Sequence, residues 1–239
     1  MGHCIKQIID KLGKIYKINL KGTVNYKLPN CTKLNDIILE VSGYGYYSSH
    51  NPQKQDYRYY LNIEIKNTKF KKGKEFVAIL MNPSNTFASA DKSKVFDYTI
   101  KNIIRIAYKL KYNKITVLNS YPRINGDSSS QNMSIDENIA KINTEFIEDY
   151  ILKNKENSTF LIAWGGSNKK VTNMQKYLDV FYNNKIEIYA YRKTSNNKPC
   201  HASILVENRY NYVSNFLNND VRLKPLCIKR NKKNQYKFA

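Results

Sequence analysis

The chain has 239 residues, 41% of them hydrophobic, and sets 40 Lys and Arg against 19 Asp and Glu, a formal charge of +21. No stretch approaches the ~18 uncharged apolar residues of a membrane-spanning helix, and the start lacks a signal-peptide pattern, so a cytoplasmic protein is expected. The basic surplus points to a polyanion, nucleic acid before any other, against the competing account of a biased composition in a chain also crowded with Asn, Ile and Tyr.

The first residues, Met-Gly-His-Cys-Ile-Lys, place Lys6 where a myristoylation signal needs Ser or Thr. Cys4, Cys31, Cys200 and Cys227 form no Cys-x-x-Cys pair and have no regular His partner, so reduced thiols are expected, not disulfides or zinc. Residues 5 to 16 put Ile5, Ile8, Ile9, Leu12, Ile15 and Tyr16 at helical spacing, which predicts an amphipathic helix. Residues 20 to 56 read as irregular, punctuated by Pro29, Gly43, Gly45 and Pro52. The cluster Tyr44, Tyr46 and Tyr47 is suited either to stacking on bases or to covering a hydrophobic edge.

From residue 57 the pattern becomes regular. Residues 57 to 65 alternate as an exposed or edge strand does. Residues 76 to 80, Phe-Val-Ala-Ile-Leu, are uncharged and read as a central strand buried on both faces. Pro83 ends that strand because it has no N–H to donate, which leaves Asn82 and Ser84 at its carboxyl end. A helix is predicted over 97 to 111, with Asp97 as its N-cap or as a carboxylate acting on substrate. Further strands are predicted over 114 to 118, 158 to 163 and 185 to 191. A helix opened by the capping box Ser134-Ile135-Asp136-Glu137 and another over 168 to 182 fall between them. Alternating strands and helices predict βαβ units and a three-layer α/β/α fold with a mainly parallel central sheet. Residues 1–56 read as a helical or irregular extension, 57–207 as the α/β domain, and 208–239 as a basic C-terminal helix and tail. In that tail Lys229, Arg230, Lys232 and Lys233 are candidates for contacts with a DNA backbone.

Parallel strands finish on one edge, so Asn82, Asn119, Trp164 and His201 are expected to converge there. Two carboxamides, an aromatic wall and a histidine suit a planar hydrogen-bonding ligand on which negative charge develops. No Gly-x-Gly-x-x-Gly, phosphate loop or metal-ligand spacing is present, so neither a cofactor nor a metal is expected.

The ordered set Tyr-Arg-Tyr-x-Leu at 57 to 61, Met-Asn-Pro-Ser at 81 to 84, Asp97-x-Thr99, Asn119 with Arg123 beyond, Asn138, Ala163-Trp164-Gly165 and Lys198-Pro199-Cys200-His201 resembles an uncharacterised bacterial and phage domain family. That family is itself similar to the uracil-DNA glycosylase superfamily. The resemblance, over about residues 57 to 206, implies a uracil-DNA-glycosylase-like fold and a DNA glycosylase that leaves an abasic site. Asn82 then matches the residue that positions the attacking water, Asn119 the reader of the flipped base, and His201 the group that stabilises the departing base. Asp97 is the nearest carboxylate in motif order. Pro83, Ser84, Tyr121, Arg123, Trp164 and Gly165 would line the substrate. The Gly-Gln-Asp-Pro-Tyr turn of the uracil enzymes is absent and Ala202 follows His201 in place of Pro, which moves the expected base from uracil to an unusual or modified pyrimidine. In a phage setting, that makes the protein a candidate for defence. A non-catalytic nucleic-acid-binding module and a hydrolase of free nucleosides or nucleotides are the alternatives.

Overall fold

The computed structural model describes residues 15–27, 36–48, 57–66, 70, 74–83, 96–124, 137–165, 174–201, 223–233 and 235–238. Ten strands and three helices are found among them: β1 (Ile15–Lys27), β2 (Asp36–Ser48), β3 (Tyr57–Ile65), β4 (Glu75–Leu80), α1 (Tyr98–Lys109), β5 (Lys114–Asn119), α2 (Glu137–Asn154), β6 (Ser158–Ile162), α3 (Met174–Asn183), β7 (Ile188–Ala190), β8 (Lys224–Leu226), β9 (Ile228–Arg230) and β10 (Tyr236–Phe238).

Eight strands form one sheet in the order β1-β2-β3-β5-β4-β6-β7-β8, and β9 pairs with β10 in a separate hairpin. The run β5-β4-β6-β7 is parallel, whereas β1/β2, β2/β3, β3/β5 and β7/β8 are antiparallel. This overturns the expected three-layer α/β/α, uracil-DNA-glycosylase-like fold with a mainly parallel sheet. The chain is dominated by a mixed sheet that only three helices accompany among the described residues. The reading from sequence failed because periodicity reports which faces are buried, and says nothing about which strand lies alongside.

The first half of the chain supplies the difference. Ile15 and Tyr16, expected at the end of a helix, begin β1, and the rest of that predicted helix lies outside the described residues. The stretch expected to be irregular contains a hairpin of two 13-residue strands paired from Ile15↔Ser48 to Lys27↔Asp36. Gly43 and Gly45 are therefore interior strand residues. A Cβ at Gly43 would fall 2.0 Å from the carbonyl oxygen of Asn62, so glycine here permits the close approach of β2 to β3. β3, expected at an edge, lies between β2 and β5 and is buried along most of its length. The described part of the C-terminal segment is strand, not helix.

The remaining elements follow their sequence signals. β4 is buried at every position, as its apolar run requires. α1 starts where the Asp97 carboxylate accepts the Ile100 N–H at 2.7 Å, and it places Ile100, Ile103, Ile104 and Ala107 in a core with Phe76, Ala78, Ile115 and Val117. On the other sheet face, α2 and α3 bury Ile147, Ile151, Tyr177 and Phe181 with Val77, Ile79 and Ile162. The predicted capping box lies outside the described residues apart from Glu137, the first residue of α2.

Candidate functional site

The parallel strands β4, β5 and β6 all finish on one edge. Antiparallel β3 begins there, because Tyr60 faces Leu118. The strand ends are laced by backbone bonds: the Ser120 N–H donates to Leu80, that of Tyr121 to Met81 at 2.7 Å, and that of Ala163 to Ile79. The Ser120 hydroxyl adds a 3.0 Å bond to the Met81 carbonyl. These bonds fix the segments after β4 and β5 as a rigid pair, the support that a precise site needs.

Asn119, the last residue of β5, is wholly buried, yet neither its Oδ1 nor its Nδ2 has a hydrogen-bond partner among the described residues. Buried polar groups are almost always paired, because an unpaired one costs ~1–3 kcal/mol. Its backbone, by contrast, is held firmly. The Asn143 Nδ2 on α2 donates to the carbonyls of Asn119 at 2.9 Å and Ser120 at 3.2 Å. The scaffold thus fixes this residue while its carboxamide stays unengaged.

Asp97 contributes one carboxylate oxygen to the α1 cap, and its Oδ2 is buried without a hydrogen-bond partner among the described residues. Both roles weighed for Asp97 from sequence are therefore open to the same side chain, one oxygen each. Burial lowers the pKa of His201 below the usual histidine value, and the Asp97 carboxylate partly opposes that shift, which brings the two residues into one electrostatic environment. His201 is thus held as a neutral imidazole able to donate one N–H. Gly165 adopts φ +93°, a conformation that favours glycine, and a Cβ there would lie 3.6 Å from the His201 Cβ. Burial also raises the Cys200 thiol against the opposing charge of Arg192, so the cysteine beside His201 is held in its unreactive form.

The other sequence candidates fall out as follows. Asn82 is half-buried in the bend after β4, Pro83 is buried, and Ser84 lies outside the described residues. Tyr121 is half-buried, while Arg123 is exposed and bridges to Tyr57 through its backbone. Trp164 is a core residue: its indole packs against Tyr177 and Phe238, so it braces the site from beneath instead of forming an open wall. Lys229 and Arg230 lie on β9, with Arg230 over the Tyr236 ring, and Lys232 and Lys233 sit at the exposed turn of the hairpin, so all four belong to a hairpin and not to the expected helix and tail. Among the described residues, no group of three or more His, Cys, Asp or Glu could hold a metal ion.

Two residues escaped the sequence reading. Arg58 is 1% exposed and starts β3 at this edge, its N–H donating to the Pro122 carbonyl at 2.7 Å. Its charge keeps company with buried Tyr47, whose phenol burial pushes up and Arg58 pulls down. The signal was present, a charge inside the run Tyr57 to Leu61. Asn143 was equally visible as a polar residue one turn from Ile139 on the buried stripe of α2.

These features define a mixed-sheet α/β protein whose polar site lies at the carboxyl ends of its parallel strands. The chain belongs to the family described as Protein of unknown function (DUF1643), whose model matches residues 58–202. No curated protein and no solved structure matches it. No described helix is long and apolar enough to cross a membrane.

Proposed function

We propose that the protein is a DNA glycosylase, hydrolysing the N-glycosidic bond of an unusual or modified pyrimidine in DNA to leave an abasic site. The observation that carries this reading is the buried, unengaged carboxamide of Asn119 at the end of β5. A carboxamide presents an acceptor and a donor side by side in one plane, the complement of the amide-like edge of a pyrimidine. Its burial makes the recognition selective, since a ligand lacking that edge would leave both atoms unpaired.

The neighbouring groups suit the same chemistry. Water attacks the anomeric carbon, the bond from that carbon to the base nitrogen breaks, and the bonding electrons leave with the base. Positive charge develops on the sugar and negative charge on the base. The second oxygen of Asp97 is suited to the sugar cation or to the incoming water, and neutral His201 to the base anion. Asn82, half-buried at the end of β4, is the candidate for orienting the water. The resemblance of the motif order to that of the glycosylase superfamily supports this reading, although the sheet topology is not the one that resemblance implied. The +21 charge suits a polymeric anion, and flipping the base from a duplex would cost a few kcal/mol.

The test is mass spectrometry of small molecules released from unmodified, uracil-containing and hydroxymethylated or glucosylated DNAs. A free base from one of them, lost in both Asn119→Ala and His201→Ala with folding intact, is expected. Release undiminished in both variants would remove the site assignment, and no release from any DNA alongside salt-sensitive binding would leave a binding module.

A further inference from the structure

A cavity lies between the β9/β10 hairpin, the start of α3 and a tight hairpin that leads into His201. Its volume is about 550 Å³, within the ~300–1,000 Å³ of small-ligand sites. Side chains of Lys198, Lys237, Asn196, Asn231, Gln235 and Tyr236 line it, and no carboxylate does among the described residues.

The cavity is firmly built. Gln175 at the start of α3 acts as a surrogate strand neighbour for β10: its Oε1 accepts the Tyr236 N–H at 2.7 Å and its Nε2 donates to the Tyr236 carbonyl at 2.9 Å. The Tyr236 hydroxyl donates to Asp179 at 2.6 Å, which engages the nearby carboxylate on the helix side. On the opposite wall, the Lys193↔Pro199 bridge and the Cys200 N–H to the Arg192 carbonyl close a hairpin with Asn196 and Lys198 near its tip. His201 is the next residue after that hairpin. The Phe238 ring at the cavity also rests 6.3 Å from the Trp164 ring, and Trp164 precedes Gly165 beside His201.

We infer that this cavity binds the phosphodiester backbone of single-stranded nucleic acid flanking the base held at Asn119. The two ammonium groups meet phosphate charge, and the carboxamides suit the hydrogen-bonding groups of sugar and base. This inference rests on the proposed nucleobase site and adds that the substrate is a polymer, gripped on both sides of the His201 hairpin. It also reassigns the backbone contact from the exposed turn lysines Lys232 and Lys233 to Lys198 and Lys237.

The test is fluorescence anisotropy of a labelled single-stranded oligonucleotide of ~12 residues, titrated at several salt concentrations against Lys198→Ala/Lys237→Ala. Lys114→Ala/Lys155→Ala, two exposed lysines at the amino ends of β5 and β6, serves as an equal-charge control, and circular dichroism checks folding. Binding at least ~10-fold weaker is expected for the first variant. Its salt slope should be shallower by ~1.4, at ~0.7 for each phosphate that a lysine no longer neutralises on a single strand. The control should show neither effect, and Lys198→Arg/Lys237→Arg should restore binding. Equal losses in both alanine pairs, or no loss in the first, would overturn the inference, as would efficient displacement of the oligonucleotide by a poly-glutamate peptide. Weaker binding by the cavity variant with no base released from any DNA would retain the cavity and reject the glycosylase. Normal base release with unchanged binding would do the reverse.

Discussion

Two buried polar clusters on the same parallel strands are partnered in opposite ways. At the amino end, Glu75 of β4 accepts the Thr116 hydroxyl of β5 at 2.7 Å and the Tyr150 hydroxyl of α2 at 2.5 Å, so both carboxylate oxygens are engaged. Burial raises the Tyr150 phenol, and its bond to Glu75 does the same, which keeps it a donor. At the carboxyl end, the Asn119 carboxamide and the second oxygen of Asp97 are buried with no hydrogen-bond partner among the described residues. One cluster is saturated and joins three elements. The other carries an energetic cost that folding alone does not explain. Buried polar groups are almost always paired, which makes the second cluster the candidate for engaging a ligand.

The contrast predicts that stability and activity separate by strand end. The largest effect belongs to the carboxyl end: His201→Ala should slow base release ~100-fold or more, the usual loss on removing one preorganised donor. Asn119→Ala should also abolish release yet change unfolding free energy by no more than about 1 kcal/mol, since its side chain gives up no hydrogen bond. A large destabilisation by Asn119→Ala in urea denaturation would erase the distinction between the ends.

At the amino end the pattern should invert. Tyr150→Phe removes a donor to a buried carboxylate and should cost about 1.5–3 kcal/mol. Base release at temperatures well below the melting point should stay near wild type. Equilibrium unfolding paired with single-turnover release on the same samples would check both halves.

Gly165→Ala tests whether the backbone beside His201 is part of the site. An alanine at φ +93° should cost about 1–2 kcal/mol in strain. The separation of 3.6 Å from the His201 Cβ is ordinary, so the penalty should come from conformation and not from overlap. Thermal unfolding of the variant gives the answer.

The smallest effect is a pH dependence. The pKa of His201 is depressed in the folded state, so the unfolded chain takes up the proton first as pH falls. Stability from this group is therefore fully present above ~6.5 and lost as pH falls from there through the lower folded value. The difference in unfolding free energy between wild type and His201→Gln should narrow across that window. A difference independent of pH would mean that the imidazole is not held neutral by burial.

The sequence by itself determined the elements whose signals are local. Phe76 to Leu80 had to be a buried strand because it carries no charge and ends at Asn82-Pro83, and α1 had to start at Asp97 because cap and apolar stripe coincide. Since parallel strands share an edge, Asn82, Asn119, Trp164 and His201 are expected to gather there; β4, β5 and β6 do finish side by side, and His201 lies beside Gly165, the residue after Trp164. Only the tertiary structure decided that β1 to β3 extend the sheet in antiparallel fashion, that Arg58 and Asn143 are buried, that Trp164 is core, and that the basic C-terminal segment folds back as a hairpin beside α3. The reason is that alternation and periodicity record only which sides of a segment avoid water. Which strand provides the neighbour, and whether a buried polar atom finds a partner, depends on contacts between residues far apart in the chain, and no local pattern encodes them.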